Sequence, residues 1–157
     1  MTERPLKKCR LPLDLSYDVH NHVWVRPAED GLYTLGITDV GQTLAGKLLY
    51  CEPKSVGTSV ALGKAAALIE SGKSIWPVRC PLPGRIEEIN ARAAGQPDTV
   101  NRDPYGEGWI VRIRAEGGAA GLAAGLARLV TGDALLEQYL FVMEELGFGG
   151  CIPYGDH

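Results

Sequence analysis

Residues 67–78 read ALIESGKSIWPV and place a polar turn between two short apolar runs. This pattern is typical of a tight β-hairpin, in which Gly72 would supply the positive φ that such a turn favours. Lys73 would then lie at the tip of the hairpin. A lysine held clear of the protein on a rigid turn can be recognised by a modifying enzyme and can then carry a group between active sites. The turn residues alone favour the simpler alternative, a solvated surface lysine.

Further sequence blocks occur in a specific order around this turn. They are ESGK at 70–73 followed by CPLPG at 80–84 and IEEIN at 86–90, GITD at 36–39 with Gln42, and DPYGEGW at 103–109 after Asn101. Together they resemble the glycine cleavage system H proteins from about Leu15 to about Leu140. Three motifs in order are a specific signal, whereas any one of them would be weak.

The resemblance implies that Lys73 carries lipoate in amide linkage, on a turn that also contains Glu70, Ser71 and Gly72. Biotin fits less well, because biotin domains of similar shape place methionine beside the lysine, whereas Gly72 and Ser74 flank it here. No catalytic residue is expected, since the cofactor performs the bond chemistry. A lipoate attachment enzyme is therefore an expected partner.

The same resemblance implies a mostly β fold. The expected form is an H-protein-like lipoyl domain, a flattened barrel or sandwich hammerhead, with a short internal helix and C-terminal helices. The 20 glycines and 10 prolines among 157 residues favour turns and short strands. We expect a flexible N-terminal arm over residues 1–16, a single lipoyl-carrier domain over residues 17–146 and a C-terminal tail over residues 147–157.

Local signals predict several element boundaries. Asp39 and Gln42 have the outline of a capping box, which predicts a short helix that ends near Gly46. Residues 131–133 (TGD) can cap a longer helix with one apolar side, whereas residues 90–107 are predicted to form a loop. Pro77 lacks a backbone donor, so the second strand of the hairpin should be an edge strand or bulged.

Charge and cysteine spacing exclude several classes of function. A net charge of −3 and a pI near 5.6 do not favour nucleic acid or anionic membranes as partners. The absence of an apolar signal segment or transmembrane run predicts a cytoplasmic protein. No metal site is predicted, and the cysteines, which lack zinc-site spacing, are expected to be thiols: Cys9, Cys51, Cys80 and Cys151. Of these, Cys80 is expected to be buried and Cys151 to be exposed.

One position departs from the family pattern. H proteins carry an acidic residue between the histidine and tryptophan of a His-Glu-Trp-Val strand, where it is understood to hold the amine of the loaded arm. The corresponding residue here is Val23. An apolar side chain can neither pair with an ammonium group nor accept its hydrogen bonds. In this respect the chain resembles the divergent lipoate-binding proteins of the heterodisulfide-reductase-like sulfur oxidation system, whose arm is thought to carry sulfur.

The sequence therefore leaves three hypotheses. The preferred one is a carrier that shuttles a sulfur-bound or redox intermediate and has a heterodisulfide-reductase-like complex as its partner. The second is a glycine cleavage H protein, with glycine decarboxylase, aminomethyltransferase and dihydrolipoamide dehydrogenase as partners. The third is an unmodified binding module. The residues expected to contact the arm or a partner are Val23, Trp76, Arg79, Cys80 and Cys151.

Overall fold

The computed structural model describes residues 6–152, which form two antiparallel sheets and five helices within that range. The strands are β1 (Ser16–Asp18), β2 (Val23–Pro27), β3 (Leu32–Ile37), β4 (Leu48–Pro53), β5 (Ser59–Val60), β6 (Ala65–Ser71), β7 (Ile75–Arg79), β8 (Gly84–Ile89) and β9 (Val111–Ala115). The helices are α1 (Asp39–Ala45), α2 (Ala91–Gly95), α3 (Asp98–Arg102), α4 (Gly118–Leu126) and α5 (Asp133–Leu146), and a 3-10 turn covers Glu29–Gly31. The predicted mostly β fold class is confirmed.

The six-stranded sheet has the order β1-β2-β3-β9-β8-β5, and the three-stranded sheet has the order β4-β6-β7. The predicted hairpin is formed by β6 and β7, in which Ile69 is paired with Trp76 and Glu70 with Ile75. Strand β7 lies at an edge of the smaller sheet, as Pro77 predicts, because an edge strand need not donate from every residue.

Alternate residues of β2 enter two different cores. Val23 and Val25 belong to the sheet cluster, the buried apolar side chains between the two sheets, where they join Ile69 of β6 and Val78 of β7. Trp24 points the other way, into the helix cluster that β2 forms with α5 and the N-terminal segment. Burying a large apolar side chain stabilises a fold by about 2 kcal/mol, so each face of β2 contributes to stability.

Helix α1 begins one residue earlier than the predicted capping box implies. Thr38 is the N-cap, and its hydroxyl oxygen accepts a hydrogen bond from the backbone N–H of Gly41 at 3.1 Å. Gln42 donates to the Asp39 carboxylate at 2.8 Å instead of closing the box on the backbone. The helix ends at Gly46, as predicted, where φ is 87°.

The predicted loop over residues 90–107 contains α2 and α3. Asn90 caps α2, because its side-chain oxygen accepts hydrogen bonds from the backbone N–H groups of Arg92 and Ala93. Each of these helices has only five residues, which is too short for an apolar periodicity to be recognised in sequence.

The terminal segments differ from the predicted flexible arm and tail. Leu11 is fully buried, and Tyr105 fixes the neighbouring backbone by donating from its hydroxyl to the Arg10 carbonyl at 2.6 Å. At the other end, Phe148 packs into the helix cluster. Residues 6–15 and 147–152 are thus part of the packed structure, whereas the rest of the predicted arm and tail, 1–5 and 153–157, lies outside the described residues.

A disulfide between Cys9 and Cys151 joins these two segments. The prediction of four thiols is therefore wrong for this pair, and so is the prediction of an exposed Cys151, which is 6% exposed. The two cysteines are 142 residues apart in sequence, and no local pattern can reveal a contact that only the tertiary fold creates. Cys51 and Cys80 are free and buried.

Candidate functional site

The hairpin tip holds Lys73 on an ordered turn. Ser71 donates from its backbone N–H to the Ser74 carbonyl at 2.9 Å and closes the turn. The buried Ser71 hydroxyl oxygen also accepts hydrogen bonds from the backbone N–H groups of Lys73 and Ser74, both at 3.2 Å. The serine side chain thus organises the turn, which leaves the Lys73 side chain exposed.

Gly72 does not have the predicted positive φ, which occurs at other glycines of the described chain. The prediction was wrong because it assigned the turn to the glycine-dependent hairpin class, whereas the hydroxyl of Ser71 stabilises this turn through two backbone N–H groups. Gly72 instead has open space around the position of a Cβ, with no heavy atom beyond its two chain neighbours within 4 Å.

The Lys73 side chain lies against the backbone that ends α1. A Cβ built at Gly46 would lie 3.0 Å from Cε and 3.7 Å from Nζ of Lys73. Asn101 fixes this backbone, because its amide nitrogen donates to the Gly46 carbonyl at 2.9 Å and its oxygen accepts from the Leu48 N–H at 2.9 Å. Glycine at position 46 therefore creates the space that the lysine side chain uses.

A cavity of about 480 Å³ opens beside this contact. Its lining residues come from α1, β4, the hairpin turn and the C-terminal segment: Thr43, Gly46, Lys47, Leu49, Ser71, Gly72, Lys73 and Ile152. Leu49 and Ile152 present apolar surface at the mouth, and neither is buried. An exposed amine beside a partly apolar cavity suits a lysine that carries a long apolar group. The predicted residue Glu70 is half-buried next to the turn and is not part of this lining.

Trp76 links the hairpin to the body of the protein through a stack of aromatic rings. The imidazole of His22 lies between Trp76 and Tyr139, with ring centroids 6.0 and 5.9 Å away. The Nδ1 atom of His22 lies 3.1 Å from the Tyr139 hydroxyl, which in turn lies 2.8 Å from the Thr38 hydroxyl. Burial lowers the pKa of His22 to about 4, so the ring is neutral at neutral pH. Trp76 is half-buried in this stack.

Of the other predicted contact residues, Val23, Arg79 and Cys80 are not part of the cavity lining. Val23 is fully buried in the sheet cluster, and Arg79 donates to the Gly63 carbonyl at 2.9 Å. Cys80 is buried, as predicted, and its thiol contacts the Tyr33 hydroxyl at 3.2 Å and the Leu82 carbonyl at 2.8 Å. Burial raises the pKa of the Cys80 thiol, so that thiolate chemistry is disfavoured.

Sequence reasoning missed five of the residues that line the cavity, among them Gly46, Leu49 and Ile152. Gly46 had a signal as the end of a predicted helix, but its contact with Lys73 is tertiary. Leu49 lies in the apolar run LLYC at 48–51, which predicts a buried strand, although Leu49 is 52% exposed. Ile152 had no signal, because it is held at the cavity by long-range hydrogen bonds with Gln42 and Thr43.

Comparison with known proteins identifies the family. The family model described as Glycine cleavage H-protein matches residues 15–131. The chain belongs to this family. H proteins are non-catalytic lipoyl carriers of the glycine cleavage system, so the prediction of a carrier instead of an enzyme is confirmed.

Two H proteins from Aquifex aeolicus are similar in sequence. The chain is 52% identical to Glycine cleavage system H protein 3 over 106 residues, which cover 68% of this chain and 66% of that relative. It is 42% identical to Glycine cleavage system H protein 2 over 130 residues, which cover 83% of this chain and 78% of that relative. The chain thus spans just under two thirds of the length of the first relative.

The H-protein fold is shared with a crystal structure of a glycine cleavage system H protein from Mycobacterium marinum. The two structures superpose with a TM-score of 0.69 at 28% sequence identity, over 82% of this chain and 98% of that one. Within residues 6–152, no helix has both the length and the apolar character that a membrane span requires.

Proposed function

We propose that this chain is a lipoylated carrier of the glycine cleavage system, with lipoate in amide linkage on Lys73. The observation that supports this most strongly is the position of Lys73, exposed on an ordered turn beside a cavity that Gly46 keeps open. The proposed partners are a lipoate attachment enzyme, glycine decarboxylase, aminomethyltransferase and dihydrolipoamide dehydrogenase.

The residues around Lys73 fit the cofactor. Amide formation removes the lysine charge, so the modified side chain can lie along apolar surface without desolvating an ammonium group. Leu49 and Ile152 provide such surface at the cavity mouth. When attached, lipoate supplies a disulfide that accepts two electrons or a transferred group. Ser71 and Gly46 position the lysine, and they take no part in bond chemistry.

A second candidate cargo follows from Val23. This residue stands where H proteins carry an acidic residue, and it is fully buried in the sheet cluster. An aminomethyl group on the cofactor would find no carboxylate at this position. A sulfur-bound or redox cargo has no such requirement, and the partner would then be a heterodisulfide-reductase-like complex. The names of the similar proteins support glycine cleavage, which is why it is the first candidate.

Two measurements test the proposal in sequence. The chain is first produced with a lipoate attachment enzyme, and its intact mass is compared with that of Lys73→Arg. A lipoyl mass increment is expected in the parent protein and not in the variant. An increment that persists in Lys73→Arg, or one that never forms, would contradict the assignment of Lys73.

The second measurement identifies the cargo. The lipoylated protein is mixed with glycine and glycine decarboxylase, and the aminomethyl adduct is detected by mass. If the protein functions in glycine cleavage, the aminomethyl group should be loaded efficiently. Negligible loading of protein that carries the lipoyl increment would favour the sulfur or redox candidate for the natural protein.

A further inference from the structure

The Cys9–Cys151 disulfide lies one residue from the wall of the Lys73 cavity. Ile152 forms part of that wall. It donates from its backbone N–H to the Thr43 hydroxyl at 3.0 Å, and its carbonyl accepts from the Gln42 amide at 3.0 Å. The same short backbone segment therefore contains a disulfide bond and borders the Lys73 cavity.

The disulfide and Lys73 lie near opposite ends of helix α1, so the length of that helix indicates how far apart they are. Both sulfur atoms of the disulfide lie within 4.8 Å of a carboxylate oxygen of Asp39, the first residue of α1. Lys73 lies against Gly46, which follows the last residue of the same helix. Seven helical residues with a rise of 1.5 Å each span about 10 Å. The disulfide and the lysine are thus separated by roughly the length of one short helix.

The surroundings of the disulfide distinguish it from the other thiols and from a metal site. Burial raises the pKa of Cys51 to about 12 and also raises that of Cys80, so both remain protonated and unreactive. The Asp39 oxygens already accept hydrogen bonds from the Arg10 N–H and the Gln42 amide, and both sulfurs are joined to each other. This group therefore has the chemistry of a disulfide, and Cys151, at 6% exposure, is the less completely buried of its two residues.

We infer that Cys9 and Cys151 form a second dithiol–disulfide couple, which accepts two electrons from a reduced dithiol carried on Lys73. This inference rests on the proposed function, which supplies that dithiol as dihydrolipoyl lysine. With this couple, the protein itself accepts electrons in addition to holding the cofactor. Its reduction removes the covalent link that holds the Ile152 wall, so the shape of the Lys73 cavity depends on the redox state of the protein.

The exchange is balanced in atoms and electrons. Cys151 Sγ accepts a bond from the first thiolate of the dithiol, the Cys9–Cys151 bond breaks, and Cys9 leaves as a thiolate that takes up one proton. The second sulfur of the dithiol then displaces Cys151, which leaves and takes up the other proton. The dithiol has lost two electrons and two protons and closes to a disulfide, whereas the cysteine pair has gained both.

The test uses the intact lipoylated protein, in which the lipoyl increment has been verified by mass. Dihydrolipoamide dehydrogenase and NADH reduce the lipoyl group, and samples are quenched at intervals with N-ethylmaleimide under denaturing conditions. Peptide mass mapping then reports each cysteine separately. Cys51 and Cys80 label at all times and serve as internal references, whereas labelling of Cys9 and Cys151 is expected to increase with time.

The matched control is Lys73→Arg, which carries no lipoyl group but has the same four cysteines. Its Cys9 and Cys151 should stay unlabelled under the same conditions. Free dihydrolipoamide added at the protein concentration should reduce the control about a hundredfold more slowly than the attached group reduces the parent, because attachment raises effective concentration. Equal rates, or a cysteine pair that stays oxidised beside a fully reduced lipoyl group, would overturn the inference.

A trapping experiment tests the same step without a reductant. Cys9→Ser leaves Cys151 as a thiol that can attack the oxidised lipoyl disulfide, and N-ethylmaleimide then caps the released sulfur. A cross-link between the peptides that contain Cys151 and Lys73 is expected, and Cys151→Ser should give none. Its absence in Cys9→Ser protein that remains folded and lipoylated would overturn the inference alone. Absence of the lipoyl increment would overturn the proposed function as well.

Discussion

The contact between Gly46 and Lys73 depends on the absence of a single Cβ atom. Gly46 has φ 87° and ψ −174°, a backbone conformation that essentially only glycine adopts. We expect Gly46→Ala to lower the free energy of unfolding by about 1 to 3 kcal/mol. The added Cβ would also displace the Lys73 side chain, so the rate of lipoylation should fall by about tenfold, equivalent to 1.4 kcal/mol in recognition. Urea unfolding and intact mass measure the two effects.

Gly57 offers a matched control for this substitution. It has φ 92°, and a Cβ at that position would meet nothing within 4 Å. Gly57→Ala should therefore lose stability through backbone strain while its lipoylation rate stays that of the parent. If both variants were lipoylated equally slowly, the effect at Gly46 would reflect stability and not the contact with Lys73.

The buried His22 makes stability depend on pH. Its pKa falls from 6.5 to about 4 on folding because burial opposes the charge, although Asp18 acts in the opposite direction and His20 adds a small further decrease. The unfolded chain binds a proton below pH 6.5 while the folded protein does not, so stability decreases as the pH falls from 6.5 to about 4. The loss attributable to this group is about 3 kcal/mol.

Comparison with His22→Gln isolates this dependence from the titration of carboxylates. Unfolding free energies of both proteins are measured between pH 7 and pH 4, and their difference is plotted against pH. The difference should change by about 3 kcal/mol in favour of the variant toward low pH. A difference that stays constant would show that His22 titrates alike in the folded and unfolded states.

At the scale of elements, the start of α1 depends on Thr38. Its hydroxyl caps the helix and contacts the buried Tyr139 hydroxyl. We expect Thr38→Val to cost about 2 kcal/mol, because it removes a cap and leaves a buried hydroxyl with fewer partners. The matched substitution is Thr99→Val, since the buried Thr99 hydroxyl has no hydrogen-bond partner among residues 6–152. That variant should be neutral or slightly stabilising, and thermal unfolding of the pair provides the measurement.

The elements also show what local sequence could predict. The β6–β7 hairpin, the edge position of β7 and the end of α1 each depend on residues within a few positions of one another, and their signals were readable. The stabilisation of the turn by Ser71, in place of a positive φ at Gly72, could not be predicted, because the same residues are compatible with both turn conformations. Likewise, Asp39 fits a capping box in sequence, but its backbone N–H donates a hydrogen bond to the Tyr105 hydroxyl oxygen at 2.9 Å. This contact exists only in the folded protein.

At the scale of the whole molecule, the ordered motifs indicated Lys73 as the candidate attachment residue, but they could not describe its surroundings. The cavity wall at Ile152 and the pairing of Cys9 with Cys151 join the two ends of the chain, and neither leaves a periodic or spaced pattern. The terminal segments read as polar and glycine-rich, although Leu11 and Phe148 pack into the helix cluster. The contacts that join the two ends of the chain, here called the long-range closure, are therefore the part of the site that sequence reasoning missed.

This closure should contribute strongly to stability. A disulfide that joins residues 142 apart restricts the unfolded chain, and the chain-entropy estimate for such a loop is about 5 kcal/mol, with measured values typically about 2 to 4. The free energy of unfolding of the double variant Cys9→Ser with Cys151→Ser, measured in urea, should therefore be about 2 to 5 kcal/mol lower than that of the oxidised parent. Reductant should destabilise the parent to the same level and leave the double variant unchanged. The control is Cys51→Ala with Cys80→Ala, which keeps the disulfide and should retain the response to reductant. If reductant did not destabilise the parent, the hydrogen bonds of Ile152 and the packing of Leu11 would be sufficient to hold the two ends together without the covalent link.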